Sequence, residues 1–446
     1  MTVSTEDRRQ IVHVTMGAWA VLLHWITWPQ AAALAVAALL FNWIVLPRIG
    51  GRSLYRPSDH ARGYPLGILL YPFVVLLLIL IFHRRLDLVA GVWGILAAGD
   101  GFATLVGRRV PGPRLPWNVE KSVAGTCAFV VCGTLAGGTL GWWTSLASTG
   151  GPSWLSWMAM AFMASLGAGL VETIPVRLDD NISVAASAGF IFACVQVASA
   201  AAWAANGPEA LQRLLVGLLL NALVAAAGWM ARTVSSSGVI AGLLIGTIIY
   251  AGAGAGTWLL LLMAFAAAAI TSRIGYKRKL QLGIAEERGG RRGAANAIAN
   301  TGVAAVAAAL AVASTYRVEA LLAAAAALIA GSSDTVASEI GKAFGRRTFL
   351  VIGFRPVPPG TSGALSIEGT AAGIAAAAVL ALIAVRADVI AAPLLLVVIV
   401  AATAASLLES ALGATLEGPR VLNNDLLNFI TTAAAAGIAL LLSSRL

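Results

Sequence analysis

The sequence reads as an all-α, polytopic membrane protein, and three observations carry that reading. Of its 446 residues, 59% are hydrophobic and only 11% are charged, less than half the charge usual in soluble domains. Apolar runs of about twenty residues, the length a helix needs to cross a bilayer, recur along the whole chain. The 30 Lys and Arg collect in alternate loops, as the positive-inside rule requires.

Taken in order, the runs lie near Ile11–Trp28, Gln30–Leu46, Leu66–Phe82, Leu88–Val106, Ser122–Leu146, Trp154–Ile174 and Ser183–Ala205. The second half continues near Leu211–Met230, Gly238–Tyr250, Thr257–Ser272, Ala294–Ser314, Ala320–Ser338, Gly369–Val385, Val389–Ala414 and Leu426–Leu442. This predicts about fifteen spans. With the N-terminus cytoplasmic, only Arg84, Arg85, Arg213, Arg317, Arg386 and Arg445 among the Lys and Arg fall on the opposite side. A prokaryotic cell membrane with cytoplasmic active-site loops is the expected location, and no cleavable signal is expected because the first run follows a short polar stretch. The Asn-Gly-Pro turn at Asn206–Glu209 predicts a division into residues 1–207 and 208–446.

Several function classes drop out on composition. The net charge of +10 fits loops drawn to anionic lipid, and with no basic-aromatic array nucleic acid is not an expected partner. Cys127, Cys132 and Cys194 sit in apolar runs without metal or disulfide spacing and are expected as small core residues. Alanine tracts such as Ala323–Ala327 predict close helix packing without chemistry.

The chemistry concentrates in Gly99–Thr126. Asp100 lies inside an apolar run, where an ionisable side chain is costly and marks a candidate functional site. Thr104 and Gly107 share its helical face. In the loop that follows, Arg108, Arg109, Arg114 and Lys121 are suited to phosphate oxygens, and Gly107, Gly112 and Gly125 allow backbone N–H groups to approach a ligand. Glu172, Asp179, Asp180 and Asn181 return to the same membrane face, offering acids for a divalent cation. Phosphoryl transfer needs this combination of acids for a metal and bases for phosphates. An alcohol acceptor also needs a general base, for which Asp100 is the first choice and Glu172 the second.

These motifs give residues 6–205 a resemblance to the CTP-dependent polyprenol kinases, which include dolichol kinase and phytol kinase. The carriers are Arg8, Arg9 and His13, the GDG…GRR…PWN…KS…GT stretch, and ETIPVRLDDNISV at Glu172–Val184. The resemblance implies a membrane kinase with Mg²⁺ or Mn²⁺ and CTP as donor. It also implies Asn118, Lys121 and Ser122 at the nucleotide and His13 at the substrate. Ala124, where dolichol kinases often carry an acid, tilts the expected substrate toward shorter prenols such as phytol or geranylgeraniol.

From about Leu211 the chain resembles a second family, the integral-membrane proteins that include phytyl phosphate kinase. The resemblance rests on SSSGVIAGLLIG (235–246), GYKRKLQLGIAEERGGRRGAANAIANTG (275–302), GSSDTVASEIGK (331–342), PVPPGTSGALSIEGTAAG (356–373), ESALGATLE (409–417) and NNDLLNF (423–429). Read physically, the Gly289–Gly293 turn puts Arg291 and Arg292 at a helix start, favourable to phosphate, with Asn296 and Asn300 on one face after it. Asp334 with Ser338, and Thr335 with Glu339, are pairs four apart on adjacent faces of one helix. Asp334 and Glu339 are expected as catalytic residues and metal ligands, Asp425 as a further ligand, and Lys342 at the nucleotide.

The combined expectation is a fused bifunctional salvage kinase. A prenol becomes its monophosphate with CTP, and the monophosphate becomes the diphosphate with CTP or another nucleoside triphosphate. Two alternatives stay open: a lipid-phosphate cytidylyltransferase, and a lipid or ion transporter, which the lack of an evident inverted repeat disfavours.

Overall fold

The computed structural model describes the chain except residues 1–4, 50, 52–54, 56–58, 61–62, 149, 176–177, 285–290, 418–421 and 446. It separates into two compact units, Met1–Gln196 and Val197–Leu446. Each is helical, and the sheet among the described residues amounts to two short antiparallel hairpins.

The first unit opens with α1 (Thr5–Met16) and a 3-10 turn at Gly17–His24. The helices α2 (Trp28–Leu40), α3 (Leu66–Ile81) and α4 (Leu86–Arg109) follow. A hairpin of β1 (Arg114–Leu115) and β2 (Asn118–Ser122) leads into α5 (Val123–Ser145), α6 (Trp154–Glu172) and α7 (Asp180–Val197). Helix α4 is the hub. Its most apolar stretch is 72% buried against 11% for α2. Val89, Val92, Ile95 and Leu96 pack there with Phe129, Trp157 and Phe192, all fully buried. Glycine makes the close contact between α4 and α5: a side chain at Gly125 would meet Ala103 O at 2.9 Å and Gly107 Cα at 3.3 Å. Those glycines therefore serve helix packing, while Gly112, with nothing within 4 Å, is the one of the three expected ligand-facing glycines left in open space.

The second unit contains α8 (Ala200–Met230), α9 (Ser236–Arg273), the short α10 (Tyr276–Gln281) and α11 (Ala294–Ala313). Then come α12 (Arg317–Phe344), the hairpin of β3 (Thr348–Leu350) and β4 (Ala364–Ser366), α13 (Ile367–Arg386), α14 (Leu395–Leu412) and α15 (Asn424–Ser443). Here α12 is the hub, again 72% buried, and Ala324–Ala327 lie fully inside it as the expected packing tract. Val398, Ala401 and Ala402 of α14 and Ala381 and Ala384 of α13 close around it.

Twelve of these helices are long and apolar enough to cross a membrane. One of the twelve, α9, is two helices meeting at Gly254, whose φ of 83° only glycine adopts without strain. Separating the two and adding the sixteen-residue α3 restores every expected span but the first. Around Ile11–Trp28 the chain instead forms the amphipathic α1, the 3-10 turn and a break before α2, because polar residues fill α1 and Trp25–Thr27 leave the helix. The Asn206–Glu209 turn is also corrected. Helix α8 runs through it with Pro208 inside, and the Asn206 amide donates to Val312 O at 3.4 Å. The break falls earlier, where Ala198 pairs with Ser314 and Ser199 caps α8. Cys127, expected inside, is exposed.

Candidate functional site

In the first unit, four elements converge on Asp100. A π-helical turn at Ile95–Asp100 interrupts α4 and ends on this acid, and such turns in α-helices recur at functional sites. Glu172 closes α6 and Asp180 opens α7; one carboxylate oxygen from each of Asp100, Glu172 and Asp180 lies within 4.8 Å of the others. Asp100 and Glu172 are buried and Asp180 is partly exposed. Lys121, on β2, donates to Glu172 at 2.5 Å and to Asp180 at 3.4 Å. Burial works against its charge, but the Glu172 and Asp180 carboxylates outweigh that and raise the Lys121 ammonium above the usual lysine range.

The fourth element is α1. A side chain at Gly101 would strike Val14, so α1 seats directly on α4. His13 Nε2 then lies 3.1 Å from Leu96 O and 3.5 Å from Asp100 Oδ2. A carbonyl oxygen only accepts, so Nε2 carries a proton. Tyr71 packs edge-on against the His13 ring at 4.7 Å and receives a hydrogen bond from Trp93 at 2.9 Å.

The remaining expectations for this unit divide. Asp179, expected as a ligand beside Asp180, instead caps α7, its carboxylate accepting from Asn181 N and Nδ2 at 3.0 and 2.7 Å. Ser122 caps α5 by accepting from Gly125 N at 3.1 Å, which commits its oxygen to the backbone. Asn118 and Trp117 donate to Thr173 O and Oγ1 at 3.0 and 3.1 Å, pinning the hairpin to the end of α6 and so holding Lys121 in place. Arg108 and Arg109 are about half exposed and meet Asp7 of α1 at 3.8 and 3.1 Å.

In the second unit the expected residues fall in three places. A polar cavity of about 240 Å³ is lined by Asp334, Ser338, Lys342, Ser406, Glu409 and Asn424, among others. Asp334 accepts from Ser406 Oγ at 2.7 Å, and Glu409, on the wall of the same cavity, accepts from Thr431 Oγ1 at 2.6 Å. Arg292, Asn296 and Asn300 line a different, mostly apolar cavity of about 140 Å³ with Trp258 and Phe265. The Arg292 guanidinium lies 5.9 Å from the Phe265 ring centre, and Arg291 is exposed beside it. Gly289 and Gly290 lie outside the described residues.

Glu339 is in neither cavity. It is 2% exposed and held by Lys279 Nζ at 2.5 Å and Lys342 Nζ at 3.0 Å, with Lys279 itself 1% exposed and bonded to Ser272 O at 2.7 Å. Both of its oxygens are taken, which suits an internal tie better than catalysis. Asp425 stands in the first turn of α15 and does not line the polar cavity; its neighbour Asn424 does.

Residues 219–436 match the family described as Integral membrane protein DUF92. An uncharacterized membrane protein of Synechocystis is 38% identical over 200 residues, covering 44% of this chain and 77% of that protein. The chain belongs to the DUF92 integral membrane family. The chloroplastic protein VTE6 of Arabidopsis thaliana is 34% identical over 218 residues, 47% of this chain and 65% of VTE6. A probable chloroplastic phytol kinase of Glycine max is 32% identical over 184 residues, 40% of this chain and 61% of that protein. The chain thus spans somewhat less than two thirds of these two plant relatives. No solved structure matches it.

Sequence reasoning missed Glu409 and Lys279. Glu409 had a signal: with Ser406 and Ser410 it forms a polar i, i+3, i+4 face on an otherwise apolar helix. Lys279 had none, since it sits in the basic run Lys277–Lys279, which reads as solvated.

Proposed function

We propose that this protein phosphorylates isoprenoid alcohols of the phytol or geranylgeraniol class at the acidic cluster of the first unit, with CTP as donor and Mg²⁺ or Mn²⁺. We also propose that the second unit converts the monophosphate to the diphosphate with CTP or another nucleoside triphosphate. The observation that carries the reading is the meeting of Asp100, Glu172 and Asp180 within 4.8 Å around Lys121. Three carboxylates against one ammonium leave two formal negative charges, which fits one divalent cation. A bound divalent cation supplies charge neutralisation to the transferring phosphoryl group. Glu172 and Asp180, with Asp100, would hold it.

The chain's own side chains account for the rest. The prenol oxygen attacks the γ-phosphorus, the bond from that phosphorus to the β-bridging oxygen breaks, and CDP leaves. Asp100 accepts the hydroxyl proton. Glu172 is a weaker acceptor because Lys121 already donates to it at 2.5 Å. His13, with Nε2–H directed at Leu96 O and Asp100, orients that carboxylate. Lys121 neutralises phosphate oxygens as they approach, and Arg108 and Arg109 receive the outer phosphates at the membrane surface. The probable phytol kinases similar to this chain support the alcohol as substrate.

The test is purified full-length protein with CTP labelled in turn at the α- and γ-phosphates and a panel of prenols. Transfer of γ-label to a prenyl monophosphate with release of CDP is expected. Transfer of α-label to lipid with release of pyrophosphate would replace the kinase by the cytidylyltransferase reading.

A further inference from the structure

The hub helix, hairpin and cap of the first unit occur again in the second, in the same order, with the same steps on the hub helix and a longer hairpin. On α4, Asp100, Ala103 and Gly107 stand at steps of three and four; on α12, Asp334, Ala337 and Gly341 do the same. A hairpin follows each helix. Each hairpin ends on a serine that caps the next helix, Ser122 accepting from Gly125 N at 3.1 Å and Ser366 from Gly369 N at 3.0 Å. The close approach is repeated too. A side chain at Gly107 would meet Ser122 Oγ at 3.0 Å, and one at Gly341 would meet Ser366 Oγ at 3.0 Å. A side chain at Gly125 would run into Ala103 O, and one at Gly369 into Ala337 O.

The register extends beyond the hubs. Two helices after each hairpin, an acid near the end of a span stands at the hub acid's site: Glu172 in one unit, Glu409 on the wall of the Asp334 cavity in the other. The final helix of each opens under an Asx cap, Asp179 or Asn423, so that Asp180 corresponds to Asn424. Upstream, Arg8-Arg9 precede His13 as Arg291-Arg292 precede Asn296.

We infer that the polar cavity of the second unit is a second copy of the first unit's site, with Asp334, Glu409 and Asn424 in the places of Asp100, Glu172 and Asp180, adapted to a phosphate monoester. The substitutions are compensated. Lys121 and Asp180, an ion pair at 3.4 Å in the first unit, are both neutral in the second, as Leu365 and Asn424, and both of those line its cavity. The second site keeps two carboxylates, Asp334 and Glu409, while the Lys342 ammonium at its wall is tied to Glu339, so it too offers acids to one divalent cation. An alcohol must lose a proton, whereas the oxygen of a monophosphate is already anionic, so the second site needs no general base. In the second step that oxygen attacks the γ-phosphorus, the bond to the β-bridging oxygen breaks, and the nucleoside diphosphate leaves without proton transfer to the protein.

The inference rests on the kinase reading for its substrate, but metal binding tests it without turnover. Full-length protein titrated with Mn²⁺ alone and followed by electron paramagnetic resonance should bind two ions. Glu409→Gln should lose one and stop diphosphate formation while prenol phosphorylation continues; Asp180→Asn should lose the other. A Glu409→Gln protein that keeps both ions and makes diphosphate overturns the inference. Melting temperature gives a second readout. Leu365→Lys and Asn424→Asp should each lower it, and the two together should restore it by re-creating the first unit's ion pair; a double variant no better than the worse single one overturns the correspondence. If no kinase activity is found yet the two ions are lost one by one, the repeated site stands and the proposed reaction falls.

Discussion

The hubs of the two units solve one problem in two ways. Each is a helix 72% buried that carries an acid where apolar neighbours make charge expensive. Around Asp100 the answer is an ammonium brought in from outside, Lys121, on a hairpin pinned to Thr173. Around Asp334 it is hydroxyl donors from within the helices, Ser406 to Asp334 and Thr431 to Glu409, while the nearby ammonium of Lys342 is tied 3.0 Å from Glu339. Charge delivered on a hairpin is adjustable without disturbing helix packing. Charge built into facing helices is not.

Substitutions at matching positions sharpen the contrast. The largest effect is expected from Asp100→Asn, which should slow prenol phosphorylation by about 10³- to 10⁴-fold, the upper range for a positioned general base. Conversion of added monophosphate should be unchanged, and parallel assays of the two steps read both. Equal loss of the two would mean one shared site.

Next comes Glu339→Gln, which leaves Lys279 buried with weakened compensation. Breaking a buried ion pair costs about 3–5 kcal/mol, so the expected outcome is a much lower melting temperature for the protein. A Glu339→Gln protein of normal thermal stability that lacks diphosphate synthesis would return Glu339 to catalysis. A smaller change is expected from His13→Asn, which removes the imidazole beside Asp100. The kcat for prenols should fall about tenfold with KM nearly constant, as for a residue that orients the base and does not bind substrate. A rise in KM at constant kcat would make His13 a substrate contact.

How far the sequence could be read follows from these same residues. Apolar length located almost every span, because a bilayer imposes it regardless of packing. The break at Gly254 falls in the gap between two expected spans, whereas the helix across Pro208 overrides the turn that Asn-Gly-Pro signals locally. Asp100, Glu172 and Asp180 were legible as acids at one membrane face. The choice between Asp179 and Asp180 was not, because cap and ligand differ only in which side of a helix start each occupies. Glu339 and Asp334 looked alike for a similar reason: five residues on one helix put them on different faces, and only the partners, Lys279 for one and Ser406 for the other, separate a tie from a site. The repeat was present as KSVAGT and LSIEGT, yet the hairpins between acid and cap differ in length enough to hide it from a search for inverted symmetry.

The Lys279–Glu339 tie has a consequence for ionic strength. Its members are 1% and 3% exposed, so dissolved ions have no approach to it, whereas Arg108 and Arg109 reach Asp7 from side chains that are 48% and 57% exposed. At about 0.1 M salt the screening length is roughly 10 Å, and contacts open to water weaken while enclosed ones persist. Added potassium chloride should therefore loosen the seat of α1, and with it the His13 side of the Asp100 cluster, before it touches the second unit. Prenol phosphorylation should decline across a salt titration in which diphosphate formation from added monophosphate holds steady.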